Sequence, residues 1–202
     1  MPMSISKQNF VQWRQDLESA IQNNAGTAHS RFFQLATVDG KQNPACRTVV
    51  FRGFVDNTNA LVAHTDVRSE KIQQLSNNAH AEICWYFTDT REQFRLTSKI
   101  SLLTGEDQHQ ADIRLAHWQA LSDKAQAGYA LATPGSAIVI EQAQSTRANK
   151  CSAPGSKPPD NFALLLITPF SVDHLLLRPS PQQRTLYSVQ QDGHWNGKRV
   201  IA

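Results

Sequence analysis

Between residues 47 and 71 the sequence gathers side chains able to hold an anion. Arg47-Thr48-Val49-Val50-Phe51-Arg52-Gly53 has strand character, and after a turn and a further strand comes His64-Thr65-Asp66-Val67-Arg68-Ser69-Glu70-Lys71. A phosphate dianion is held by Arg and Lys charge, by Ser or Thr hydroxyls, and by free amides at a helix N-terminus. Arg47, Thr65, Ser69 and Lys71 supply all three, with Ser69 placed as the N-cap of a short helix carrying Ile72 and Leu75. The same residues also fit an ordinary strand with solvated cations beside a normally capped helix, and both readings stand at this point.

Other chemistries lose their support. There is no Gly-x-Gly-x-x-Gly, Walker loop, Gly-x-Ser-x-Gly or His-Glu-x-x-His. The seven histidines are mostly isolated, and His109 and His117 are too far apart on one helix to chelate a metal as an adjacent pair. Cys46, Cys84 and Cys151 are odd in number and widely spaced, which argues for reduced thiols and against a disulfide framework or a zinc site. A formal charge of +3 with scattered basic residues does not suit a nucleic-acid surface. No apolar run approaches the ~20 residues of a membrane span, and Met1-Pro2-Met3-Ser4 does not open a signal peptide. A cytoplasmic protein without membrane or nucleic-acid partners is expected.

The elements that must position these residues follow from periodicity. Phe10, Trp13, Leu17 and Ile21 recur at helical spacing after a candidate cap at Ser6, predicting an amphipathic helix over about 6–24. Phe32 to Val38 and Ala45 to Phe54 form a β-hairpin around Asp39-Gly40, and a second turn at Asp56 to Asn59 leads into Leu61 to His64. Ala81 to Phe87 and Gln93 to Leu103 read as another strand pair. A helical insertion follows over about 107–132, broken near Ser122 and ended by Pro134-Gly135. Residues 144–160, rich in Ser, Pro, Lys and Gly, read as a long surface loop. Strands then resume at Phe162 to Thr168, Val172 to Arg178, Arg184 to Gln190 and Trp195 to Ile201. The 202 residues thus suit a single domain, mainly β in an α+β arrangement: an antiparallel barrel over about 31–201 with peripheral helices. Trp85 and Tyr86 are expected in the core, and Trp118 in core or interface packing rather than in a cleft.

At this level of detail the sequence resembles the FMN-binding split barrels of the pyridoxamine 5′-phosphate oxidase superfamily. The likeness runs in order from Phe32 through Ala36-Thr37-Val38-Asp39-Gly40, Arg47-Thr48-Val49-Val50, Thr65 with Arg68-Ser69-Glu70-Lys71, and Thr90-Arg91-Glu92-Gln93. It resumes at Phe162 and continues through Arg184-Thr185-Leu186-Tyr187 to the C-terminus. The resemblance implies that FMN is the cofactor, with Arg47, Ser69 and Lys71 on its phosphate and Thr65 assisting. It further implies that the backbone from Thr48 to Val50 runs along the flavin beside His64, and that Gln93 bonds the pyrimidine edge. Arg184 would approach from the partner of a homodimer that holds FMN at its interface. A cation there favours electron uptake.

Departures from the oxidase pattern define a branch. Glu70 stands where the oxidase has a second basic residue, so Arg68 is expected to substitute from two positions earlier. The oxidase's Arg-Leu-His-Asp-Arg aligns with Ser180-Pro181-Gln182-Gln183-Arg184, of which only the last residue matches. Its helical Tyr and Arg have no equivalents around His117-Trp118-Gln119-Ala120-Leu121. Arg52 remains as one basic residue available to a substrate. The implied function is that of an oxidase-related flavoprotein oxidoreductase acting on a small-molecule substrate or reductant. Alternatives are an FMN carrier, sensor or electron relay, a genuine pyridoxamine 5′-phosphate oxidase, and a haem-binding or deazaflavin-binding use of the barrel, with His64 the histidine near the site.

Overall fold

The structure, a computed structural model, describes residues 10–137 and 157–202. Strands β1 (Phe32–Val38), β2 (Pro44–Phe54), β3 (Leu61–Asp66), β4 (His80–Phe87), β5 (Glu92–Leu103) and β6 (Phe162–Leu176) are ordered 3-2-1-4-5-6, and β3 pairs with β6 to close an antiparallel barrel. Strands β7 (Gln183–Val189) and β8 (Trp195–Val200) extend the sheet from β6. The helices are α1 (Gln12–Asn23), α2 (Glu70–Asn77), α3 (Ala111–Gln119) and α4 (Asp123–Gly128). None among the described residues is long and apolar enough to cross a membrane.

Alternation along the strands builds the interior. Phe33, Leu35, Phe51, Ile83, Trp85, Phe94, Leu96 and Val172 point inward and are buried, and α1 adds Trp13, Leu17 and Ala20 to the same cluster. Trp85 is fully buried as expected. Tyr86, its neighbour of opposite parity, is instead 40% exposed on the outer face. A second apolar cluster lies outside the barrel, where Trp118 and Leu121 cover Val62, Phe162 and Leu164. Trp118 is therefore a packing residue, as its spacing suggests.

Several boundaries differ from expectation. The segments Phe162 to Thr168 and Val172 to Arg178 are one fifteen-residue strand. The register shifts where Thr97 faces Ser171 and Ser98 faces Pro169, leaving Phe170 without an opposite partner. Pro169, which lies between the two expected strands, is thus accommodated beside a bulge. The length serves topology: the first half of β6 pairs with β3 and its second half with β7, while β5 pairs along both. The first hairpin is wider than a two-residue Asp-Gly turn, because the Asp39 carboxylate accepts bonds from the amides of Lys41 and Asn43, each at 2.8 Å. Helix α1 starts at Gln12. The expected cap Ser6 and most of the 144–160 loop lie outside the described residues.

Candidate functional site

Arg47 sits on β2 with the inward parity of Val49 and Phe51. Its guanidinium donates to the Leu35 carbonyl (3.1 Å), to Thr37 Oγ1 (2.6 Å) and to Gln74 Oε1 (2.8 Å). Thr37 Oγ1 in turn donates to Gln74 Oε1 (2.6 Å), and Gln74 Nε2 donates to Glu70 Oε1 (3.1 Å). Buried Gln74 and Thr37 therefore fix the cation's direction. Both were invisible as site residues in the sequence, although Glu70 and Gln74 have the i, i+4 spacing of facing helical side chains.

Lys71, in the first turn of α2, donates to Ser69 Oγ (2.8 Å) and to Thr65 Oγ1 (3.3 Å). Burial and the nearby Arg47 charge hold its ammonium below the ordinary lysine pKa, with Asp66 opposing. Burial likewise lowers Arg47. Neither cation forms an ion pair among the described residues. Ser69 is the N-cap residue of α2, as expected, but its hydroxyl donates back to the Asp66 carbonyl (2.7 Å) and makes no capping bond. The amides at the start of α2 consequently keep their capacity to bind an anion. Arg47, Thr65, Ser69 and Lys71 are thus brought together.

Arg68 is engaged elsewhere. Its guanidinium lies on the Asp66 carboxylate, with Nη2 to Oδ2 at 2.6 Å and Nε to Oδ1 at 3.0 Å, and also donates to the carbonyls of Tyr129 and Leu131. The structure thus gives Arg68 a carboxylate partner beside the role that the resemblance implies for it at Glu70. Bidentate pairing neutralises it and makes it a strut between α2 and the segment after α4.

Arg52 occupies a bulge. Phe51 pairs with Ala63 and Gly53 with Val62, so Arg52 has no partner across the ladder, and Gly53 takes a φ of 131° that a side chain would oppose. The exposed Arg52 guanidinium is close enough to depress the basicity of His64 and His117. Those two rings are joined, His64 Nε2 to His117 Nδ1, at 3.1 Å. Burial first, then Arg52 and His117, push His64 down to about 3, so it is neutral at neutral pH. His64 also meets Phe162 edge-on, which makes it a packing residue as much as a site residue.

Gln93, Thr48 and Val50 have outward parity, whereas Val49 points into the barrel. Gln93 Oε1 accepts a weak bond from the Cys84 thiol at 3.7 Å. In register, Gln93 faces Leu175, and Leu175 faces Arg184. The Arg184 guanidinium is fixed on Asp173 by bonds of 2.9 and 2.7 Å while remaining partly exposed. Within one chain, Gln93 and Arg184 share an outer row, apart from the cluster around Lys71.

Known proteins match this arrangement. The family model for the pyridoxamine 5′-phosphate oxidase FMN-binding domain matches residues 10–104. A pyridoxine/pyridoxamine 5′-phosphate oxidase 2 of Arabidopsis thaliana is 38% identical over 194 residues, covering 93% of this chain and 96% of the relative. The crystal structure of a pyridoxamine 5′-phosphate oxidase-related, FMN-binding protein from Nostoc punctiforme superposes with a TM-score of 0.89 at 38% identity, covering 96% of this chain and 99% of that one. PhzG from Burkholderia lata 383 has the same fold, with a TM-score of 0.77 at 16% identity over 94% of this chain and 90% of its own. With the barrel closed, Arg47, Thr65, Ser69 and Lys71 gathered and a relative matched over nearly its whole length, the chain belongs to the pyridoxamine 5′-phosphate oxidase-related family of FMN-binding proteins.

Proposed function

We propose that this protein is an FMN-dependent oxidoreductase of the cytoplasm, working as a homodimer on a small-molecule substrate or reductant. The observation that carries this reading is the pair Arg47 and Lys71. They are partly buried cations, Arg47 close enough to depress Lys71, with Lys71 reaching the Ser69 and Thr65 hydroxyls and Arg47 that of Thr37, and neither has an ion pair among the described residues. Holding such charges out of water is costly unless an anion completes the set. The phosphate of FMN fits that donor set, with Ser69, Thr65 and the first amides of α2 adding neutral donors.

Bound there, FMN supplies hydride or electron transfer, and the chain supplies position and electrostatics. Arg47, oriented by Gln74 and Thr37, holds the phosphate end with Lys71. The backbone from Thr48 to Val50, beyond the end of the β2–β3 pairing at Phe51, runs along the flavin, and the Gln93 amide offers both a donor and an acceptor to the pyrimidine edge. Arg184, oriented by Asp173, which offsets part of its charge, offers its remaining guanidinium N–H groups to the flavin as donors. Arg52, aimed outward by its bulge, is a contact for the second reactant.

The homodimer is supported by the outer sheet face. Phe32, Tyr86 and Leu186 are 39%, 40% and 38% exposed on β1, β4 and β7, beside the outer row that carries Gln93 and Arg184. Apolar side chains collected beside functional polar ones mark an interface. In that arrangement Arg184 of one subunit completes the site built by Arg47 and Lys71 of the other. Subunits carrying Lys71→Ala mixed with subunits carrying Arg184→Ala are expected to regenerate one intact site per mixed dimer, because both defects fall in the same opposite site. Flavin retained after gel filtration measures this. Mixed dimers that hold no more FMN than either parent overturn the shared site.

A further inference from the structure

We propose that His174 is a positioning residue for the flavin site, its protonated ring tying helix α1 to strand β5 behind the outer row that carries Gln93 and Arg184. The inference rests on the flavin reading above. Strand alternation supplies the link: Glu92 and His174 point inward, whereas Gln93, Asp173 and Leu175 on the same two strands point outward. Gln93 pairs with Leu175 and Leu175 with Arg184, and the neighbouring row pairs Phe94 with His174 and His174 with Thr185. Arg184 is itself held by Asp173, the residue preceding His174. Displacing His174 therefore moves the backbone from which these outward side chains leave.

The His174 ring is 6% exposed and lies parallel to Phe94, with centroids 4.0 Å apart at 14°. Its Nε2 is 2.8 Å from Glu92 Oε2, and its Nδ1 is 3.6 Å from Asp16 Oδ2 on α1. Tyr187 on β7 donates to the same Asp16 oxygen at 3.4 Å. A neutral imidazole carries one N–H and can serve only one carboxylate, while the imidazolium serves both. Losing the proton leaves one carboxylate facing a lone pair and removes one polar tie between α1 and β6, while Trp13 and Leu17 keep the helix packed on the core. A cleft of about 560 Å³, lined by Gln12, Ser19, Thr185 and Arg199 among others, gives the proton a path to solvent.

The charged and titratable groups facing this ring are Asp16 from α1, Glu92 from β5, Tyr187 from β7 and, acting on Tyr187, Arg199 from β8. Burial disfavours the imidazolium, but Asp16 and Glu92 outweigh it and raise the ring above its ordinary 6.5. A raised folded-state pKa means that the stabilisation is complete below the unfolded value and is lost as pH rises through the folded one. Asp16, whose own pKa is lowered, gives way only on the acid side.

The test has two arms. In FMN-free protein, urea unfolding from about pH 6 to about pH 9.5 is compared between the native sequence and His174→Gln, which keeps a donor and an acceptor but does not titrate. The native protein is expected to lose stability across that range relative to the variant. Asp16→Asn, at a half-buried helix position, is expected to shift the step to lower pH. In the second arm, FMN affinity over the same range is expected to weaken by about two- to thirtyfold more in the native protein than in His174→Gln, the span of an ordinary intramolecular coupling. Comparing the two profiles cancels the titration of Lys71 and of the phosphate. Parallel stability profiles overturn the proton tie, and a stability step with parallel FMN profiles overturns the positioning role. If neither protein takes up FMN, the flavin reading fails and the positioning role falls with it, while the stability arm still decides the tie.

Discussion

FMN is expected to bind this chain at least about a hundredfold more tightly than riboflavin, and Lys71→Ala to abolish much of that preference. Riboflavin lacks the phosphate that, on the proposed reading, Arg47, Lys71, Ser69 and Thr65 hold. Each charge-assisted contact contributes ~1.5 to 3 kcal/mol, so losing the phosphate forfeits two such contacts and the hydroxyl bonds besides. Removing Lys71 alone costs about ten- to a hundredfold in FMN affinity and leaves riboflavin almost unaffected. The lowered Lys71 pKa adds a direction: with its ammonium disfavoured by burial and by Arg47, affinity for FMN declines at alkaline pH before an ordinary lysine would titrate. Arg68→Ala provides the contrast. Its guanidinium is committed to Asp66 and to the Tyr129 carbonyl, so that substitution acts on the packing after α4 more than on the phosphate. Fluorescence titration with both ligands measures all of this, and equal affinities for FMN and riboflavin reject the phosphate assignment.

Much of this was legible in the sequence where a signal is local. The alternation of Phe94, Leu96, Ser98, Ile100 and Leu102 placed β5 and, by parity, turned Gln93 outward. Arg47, Thr65, Ser69 and Lys71 stood out because their residue types already matched one ligand group. What was not legible depends on pairs distant in the chain. His64 and His117, 53 positions apart, looked isolated because their bond exists only once α3 lies over β3. The role of Gln74 arises in the same way, from α2 settling on β1 and placing an amide oxygen between Thr37 and Arg47. The pairing of Arg68 with Asp66, two residues earlier, was likewise not singled out, because a cation in a run of anion-binding residue types draws attention to a ligand before a neighbouring carboxylate. His174 offered only its inward parity, which in a barrel more often marks an apolar residue. The segments Phe162 to Thr168 and Val172 to Arg178 read as two strands, and only the ladders to β3, β5 and β7 reveal one.

The protein is expected to be a poor pyridoxamine 5′-phosphate oxidase even when saturated with FMN. That substrate carries its own phosphate dianion, and its pyridine ring must lie flat on the flavin with the reacting carbon near N5. The pocket therefore needs cations and donors beyond those that hold FMN. The positions that resemblance assigns to this task are Leu121, Ala125, Ser180 and Gln182, two of them apolar and none charged. Leu121 is also buried against the cluster of Trp118 and Phe162, with Ala125 packed beside it, so neither is directed at a ligand. Forfeiting two charge-assisted contacts at ~1.5 to 3 kcal/mol each weakens substrate binding by about two to four orders of magnitude. A misplaced ring slows the chemical step further. Arg52 survives as one cation, flanked by a His64 that remains neutral at neutral pH. One charge suits a less anionic substrate, or a larger reductant such as a nicotinamide that spreads its contacts along the outer face. The measurement is pyridoxal 5′-phosphate formation under air by the FMN-saturated protein, run beside the Arabidopsis relative named for that activity. A kcat/KM within tenfold of that control would show that Arg52 and the remaining donors suffice, and the chain would then be an oxidase of the vitamin itself.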